Sequence, residues 1–118
     1  MGIQILLVEH DQAEGERLSF SLRDGGHDVQ RVSHPSQAQP AILAAMPELL
    51  LMEWTWPERE SIDMLLALRA NMQTRDLPVI VLSRHGDARA KIAALDAGAD
   101  VYVVKPCDTG ELHARIRA

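Results

Sequence analysis

Cysteine, lysine and aromatic side chains are all scarce in this chain. Cysteine occurs once, at Cys107, which excludes a disulfide framework and any zinc site built on cysteines, and fits a reducing compartment. Lysine occurs only at Lys91 and Lys105, and the net charge is −5. The domain therefore lacks the basic face that nucleic-acid binding requires. No apolar run approaches the about 20 residues of a membrane span, and the first residues read as a strand rather than a signal peptide. What remains is ordinary for a soluble protein: 47% hydrophobic and 25% charged residues, with Ala, Leu, Arg and Glu prominent. A chain of 118 residues is one domain with a single core, and a cytoplasmic location is expected.

Apolar runs alternate with helical segments along the chain. Ile3–Val8 reads as a strand followed by the polar Glu9-His10-Asp11. Asp11 is a helix N-cap candidate, and Glu14 three residues on predicts a reciprocal capping box. That helix stops at Gly25-Gly26. Val29–Val32 is a second strand, and Pro35–Met46 a helix interrupted or kinked near Pro40. Leu49–Met52 is a third strand, ending in Glu53 and a loop through Pro57. Ile62–Met72 has helical apolar spacing. Val79–Leu82 is a fourth strand ending in Ser83, and Ala88–Ala97 a helix stopped by Gly98. Val101–Val104 is a fifth strand ending at Lys105-Pro106, with Asp108 or Thr109 capping a last helix. Such alternation predicts βαβ units: an α/β, flavodoxin-like (βα)5 fold with a doubly wound five-stranded parallel sheet.

In open α/β sheets, ligands and reacting groups sit at the carboxyl ends of the strands. Here those ends carry Glu9, His10 and Asp11; Glu53; Ser83; and Lys105. Carboxylates, a hydroxyl and a lysine gathered there suit a phosphoryl-accepting switch. Any one of them alone would be an ordinary polar strand end.

The stretches Ile5-Leu6-Leu7-Val8-Glu9, Glu53-Trp54-Thr55-Trp56-Pro57, Pro78-Val79-Ile80-Val81-Leu82-Ser83, Gly98-Ala99-Asp100 and Tyr102-Val103-Val104-Lys105-Pro106 resemble the receiver domain of two-component response regulators across the whole chain. Gln73–Pro78 and Glu111–Arg117 look like the OmpR/PhoB-type transcription factors. The resemblance implies a Mg²⁺-dependent phosphoaspartate switch, and the chain departs from it at several positions. The phosphoacceptor aspartate aligns with Glu53, whose carboxylate stands one methylene further out, and acyl-phosphate chemistry tolerates little misplacement. The second acid of the family's metal-binding pair aligns with His10, a poor ligand for a hard cation. Asp11 should point differently from position 10. Arg84 stands where a small residue is usual, and could cover or fill the pocket mouth. Ser61 replaces a glycine in the turn after Pro57. Ser83, Tyr102 and Lys105 match, with Tyr102 readable as a switch aromatic or a plain edge-strand residue.

These departures predict an atypical, phosphorylation-independent receiver, not an enzyme. Glu53 is either a fixed imitation of phosphoaspartate charge or a salt-bridge partner of Lys105. No cofactor is expected; were Mg²⁺ to bind, Glu9, Asp11 and Glu53 would offer the oxygens, and His10 with Glu9 and Glu53 is a candidate set for a transition metal. Trp54 and Trp56 flank the site on a loop, covering it or packing on a helix, and Cys107 reads as packing. The resemblance also implies a two-fold dimer through the fourth helix, fifth strand and fifth helix, pairing Lys91 with Glu111, Asp96 with Arg117 and Asp100 with Arg115, while one family acid is replaced by Val101. Expected partners are thus a second copy of the chain, with DNA reached only through a separate C-terminal domain; a histidine kinase is doubtful. The alternatives are a stand-alone interaction adaptor and a Mg²⁺-dependent phosphoacceptor.

Overall fold

The computed structural model describes residues 2–55, 57–106 and 109–117. The expectations for Trp56, Cys107 and Asp108 lie outside these residues. The elements follow in the order β1 (Gln4–Val8), α1 (Gln12–Asp24), β2 (Asp28–Val32), a 3-10 turn (Pro35–Gln37), α2 (Ala38–Ala44), β3 (Leu49–Glu53), α3 (Arg59–Ala70), β4 (Val79–Ser83), α4 (Ala88–Ala97), β5 (Val101–Val104) and α5 (Thr109–Arg117). The strands form one parallel sheet in the order β2-β1-β3-β4-β5. The order reverses between β1 and β3, so a crevice opens beyond their carboxyl ends.

Alternation along the strands sorts the apolar side chains into two layers. Ile5, Leu7, Leu49, Leu51, Ile80, Leu82 and Val103 pack with Leu18 and Leu22 of α1 and Leu112 of α5. Leu6, Val8, Leu50, Met52, Val79 and Val81 face Ile42, Met64, Leu65, Leu68 and Ala94 of α2, α3 and α4. β3 is buried at every residue, which explains its unbroken apolar run.

Local signals set most of the boundaries. Asp11 caps α1, its Oδ1 accepting the Glu14 N–H at 2.9 Å, and Asp87 caps α4 by accepting from Ala90 N at 3.3 Å. The other half of the predicted capping box is absent: the Asp11 N–H donates to Glu9 Oε2 at 3.3 Å, and the Glu14 carboxylate turns elsewhere. The helix predicted over Pro35–Met46 divides into the 3-10 turn and α2. Pro40 has no N–H to give the carbonyl of Ser36, so the α-helical ladder is broken at its start. α3 begins at Arg59, three residues before the predicted Ile62, because Ser61 is fully buried and serves the preceding loop: its Oγ accepts the Thr55 N–H at 3.1 Å and lies 2.7 Å from Thr55 Oγ1. Ser61 is thus a helix residue, not part of a turn. Gly98 ends α4 at φ +128, and a Cβ there would lie 2.7 Å from Arg69 Cγ. Arg69 closes this corner, donating to the carbonyls of Gly98 at 2.7 Å and Leu77 at 2.6 Å and to Asp100 Oδ2 at 3.1 Å.

Leu51 is fully buried at the centre of the sheet. Leu51→Ala should lower the unfolding free energy by about 3 kcal/mol, measured by urea denaturation, with the urea dependence unchanged.

Candidate functional site

Lys105, just past β5, places its ammonium over the carboxyl ends of β1 and β3. Nζ lies 3.0 Å from Glu9 Oε1, 2.9 Å from Glu14 Oε2 and 3.0 Å from Glu53 Oε2. The register makes this possible. Val8 pairs with Met52 and Glu53 with Leu82, while Ser83 pairs with Val104, so Glu9, Glu53 and Lys105 all emerge at one level. The Lys105 backbone N–H donates to the Ser83 carbonyl at 2.6 Å, anchoring the base of the side chain. Lys105, Glu9 and Glu53 are all buried, and the Glu9 side chain has no exposed surface.

Three carboxylates against one ammonium leave a formal excess of negative charge. Burial, together with a hydrogen bond to Glu53, pushes the Glu9 carboxyl up to about 7, against the pull of Lys105. Glu14 moves the other way, to about 2, because Arg17 binds it at 2.8 Å and Lys105 adds to the effect. Burial lowers the Lys105 ammonium, but the hydrogen bonds of Glu14, Glu53 and Glu9 outweigh it and leave the pKa raised. Lys105 is therefore a fixed cation, unsuited to act as a neutral amine nucleophile.

The remaining predicted residues have separate tasks. His10 is exposed at the rim, its Nδ1 3.7 Å from Glu9 Oε2; Glu9, His10 and Glu53 place three potential ligand atoms within 4.8 Å of one another. Asp11 uses its carboxylate on the helix cap. Ser83 Oγ accepts the His85 N–H at 3.0 Å, so it shapes the β4–α4 loop. Arg84 is exposed and makes no hydrogen bond to the carboxylates. Tyr102 is half-buried against the α2–α4 layer, and its hydroxyl donates to the His85 carbonyl. Trp54 is buried in that layer, the packing alternative of the two considered.

Glu14 is the site residue the sequence reading missed. Its spacing from Asp11 fits a capping box, a pattern that hides the second role. A second signal was available: Glu14 lies one turn into a helix that begins directly beyond a strand end already rich in acids.

On the opposite flank, Lys91 and Asp96 are exposed on α4 and Arg117 on α5. Glu111 and Arg115 pair with each other at 3.6 Å within α5. Asp100 binds Arg69 at 3.1 Å and the Val79 N–H at 2.8 Å, so its carboxylate already has an internal task. The surface also exposes Ile92 at 56%, Leu95 at 38% and Val104 at 45%. The sequence reading, drawn to the charges, passed over this apolar component.

A parallel β2-β1-β3-β4-β5 sheet with a lysine and acids at its switch point defines a signalling domain, and the family model for the response regulator receiver domain matches residues 5–117. The chain belongs to that family. It is 33% identical over 115 residues to the phosphate regulon transcriptional regulatory protein PhoB of Rhizobium meliloti, an alignment covering 98% of this chain and 51% of the relative. The chain thus spans about half the length of this curated relative. A response-regulator crystal structure from Chloroflexus aurantiacus superposes with a TM-score of 0.91 at 30% identity, covering 99% of this chain and 96% of the other. The receiver domain of a sensor histidine kinase from Pseudomonas aeruginosa, solved with a magnesium ion in its active-site cleft, gives 0.89 at 26% identity, covering 99% and 96%.

The two shifted carboxyls have opposite signs in their effect on stability. Glu9 is raised, so its contribution is complete below the usual 4.5 and is lost as pH rises through about 7. Glu14 is depressed, so its contribution is complete above 4.5 and is lost as pH falls towards about 2. Glu9→Gln should therefore abolish the decline in Tm between about pH 5 and about pH 8 and exceed the wild type at the alkaline end. Lys105→Met should cost about 3–5 kcal/mol at neutral pH by leaving buried carboxylates uncompensated, measured by chemical denaturation.

Proposed function

We propose that this chain is the receiver domain of a transcriptional response regulator whose phosphorylation site has been replaced by a permanent internal ion cluster, and that it acts by forming a two-fold dimer through α4, β5 and α5. One observation carries the first part: the ammonium of Lys105 is held at 2.9–3.0 Å by three carboxylates. Glu53 stands at the end of β3, the place of the family's phosphoacceptor aspartate. Its Oε2 is bound to Lys105, and no bond joins it to the Ser83 hydroxyl, which accepts from His85 N instead. That favours Glu53 as an ion-pair partner over an imitation of phosphoaspartate, which would engage the same hydroxyl.

The donor set does not suit the magnesium that the family implies. Mg²⁺ demands six hard oxygen ligands in near-octahedral array. Here the two buried carboxylates already share an ammonium, and the third nearby donor is an imidazole nitrogen. Without a divalent cation to neutralise a phosphodonor, attack by Glu53 lacks the charge compensation that phosphoryl transfer depends on.

The dimer reading is supported by the mixture on the α4–β5–α5 surface. Exposed Ile92, Leu95 and Val104 supply apolar area, and Lys91, Asp96, Glu111 and Arg117 supply charges of both signs around it. A two-fold interface needs a self-complementary patch of this kind. The Asp100–Arg115 pair has less support, since Asp100 is held by Arg69 and Val79. An acidic domain has no basic face of its own for DNA; that contact would belong to a separate segment, as the relative's greater length and its name as a transcriptional regulator suggest. No described helix is long and apolar enough to cross a membrane.

Incubation with Mg²⁺ and acetyl phosphate, followed by intact-mass measurement, should show no phosphoryl adduct. An adduct that disappears in Glu53→Ala would refute the proposal. In sedimentation velocity the chain should dimerise, and Lys91→Glu should weaken the dimer about fivefold or more, the effect of one exposed pair lost twice by symmetry. Adding Glu111→Lys should restore it. Asp100 is unsuitable for such a test, because replacing it breaks the Arg69 corner.

A further inference from the structure

Just beyond Glu53 lies a connection that the ion cluster does not require. The buried Trp54 donates its indole N–H to Glu58 Oε2 at 3.1 Å. Arg89, in the first turn of α4, donates to the same carboxylate, Nη1 to Oε1 at 2.8 Å and Nη2 to Oε2 at 3.5 Å. One side chain therefore joins the residue next to Glu53, the start of α3 and the start of α4. Its two-pronged contact with a guanidinium fixes direction as well as distance. The Arg89 cation, and after it the indole N–H, hold the Glu58 carboxyl below its usual range, so the acceptor stays ionised.

Three further contacts at this end of α4, among the described residues, stay within its own loop and the adjoining strands. Asp87 caps the helix from its own chain. Tyr102 holds the His85 carbonyl, and Ser83 Oγ holds the His85 N–H, so the hydroxyl at the end of β4 steadies the loop instead of linking it to Glu53. The span from Glu53 to α4 is bridged by Glu58.

We propose that the Trp54–Glu58–Arg89 clasp is the element that ties α4 to the Glu53 pocket and sets how the α4 surface is presented to a second copy of the chain. The consequence for dimerisation rests on the dimer reading above; the clasp itself does not. Its position suits regulation. Arg89 is half exposed, with 58% of its side-chain surface accessible, so an anionic group on a partner can draw it from Glu58 without entering the core. Lys91, Ile92 and Leu95 follow on the same helix, so release of its first turn would be felt directly across the exposed apolar patch.

The test uses the chain with Trp56→Phe, so that tryptophan emission reports Trp54 alone. Hydrogen exchange is followed at the amides of Lys91 to Ala94, at a concentration low enough for monomer, and dimer affinity is measured separately. Glu58→Ala should shift the emission, raise exchange at these amides by about three- to tenfold, and weaken the dimer about threefold. The exchanged pair Glu58→Arg with Arg89→Glu should bring exchange part of the way back, because the ion pair re-forms, while the emission stays shifted, because an arginine offers the Trp54 N–H no acceptor. A merely structural loss at position 58 would not separate the two readouts. Unchanged exchange and emission in Glu58→Ala would overturn the clasp, whatever the dimer does. Raised exchange in a chain that never dimerises would uphold the clasp and overturn the dimer reading.

Discussion

A single ammonium, that of Lys105, reconciles the parts of this domain that would otherwise repel one another. Glu9, Glu14 and Glu53 come from β1, α1 and β3, and each reaches it within hydrogen-bond distance. Buried charges are tolerable only when paired and hydrogen-bonded, and here the pairing ties an edge strand to the two central strands and to a helix. The ties extend outward. Arg31 of β2 donates to the Glu9 carbonyl at 2.7 Å, crossing α1 at Gly15, where a Cβ would lie 2.6 Å from the Arg31 side chain. A glycine inside a helix usually weakens it; this one makes room for the arginine that steadies the first strand end.

The fold was readable because its determinants are local and periodic. Strand runs such as Leu49–Met52 are apolar at every position, since helices cover both faces, and the boundaries at Asp11 and Gly98 lie where residue type alone places them. The errors arise where one side chain has two compatible uses. Glu14 satisfies the pattern of a capping box, yet its carboxylate goes to the buried ammonium of Lys105, while the Asp11 N–H is taken by Glu9 Oε2. Ser61 looked like a substitute for a turn glycine, but its hydroxyl satisfies the Thr55 N–H from inside α3. Ser83 and Lys105 were correctly placed at strand ends, yet only Lys105 turns into the cluster. Chain order gives the strand end, and packing decides which way the side chain points.

The two functional surfaces differ in how their charges are committed. In the crevice Glu9, Glu14 and Glu53 all bind the one ammonium of Lys105. On α4 and α5, Lys91, Asp96 and Arg117 have no ion pair among the described residues, and apolar side chains lie exposed beside them. A solvated charge costs little to leave unpaired, but Ile92 and Leu95, 56% and 38% exposed, forgo part of the about 1.5–3 kcal/mol that full burial of such a side chain brings.

His10 and Glu53 belong to one electrostatic arrangement at the carboxyl ends of β1 and β3. A receiver with two acids after β1 and a third after β3 needs a divalent cation as well as the lysine, because like charges a few ångströms apart cannot all remain ionised. This chain gains a different third carboxylate at the lysine, Glu14, and with an acid at position 10 it would face four against one ammonium. Histidine there adds no fourth carboxylate beside Glu9 Oε2, from which its Nδ1 lies 3.7 Å. The longer side chain at position 53 still delivers its carboxylate to Lys105 from a strand end fixed by the sheet. The remaining excess is relieved by a proton on Glu9, whose carboxyl is pushed up to about 7. Glu53 bound to Lys105 and a Glu9 carboxyl held up by burial thus moderate the charge at this end of the sheet with the chain's own monovalent groups.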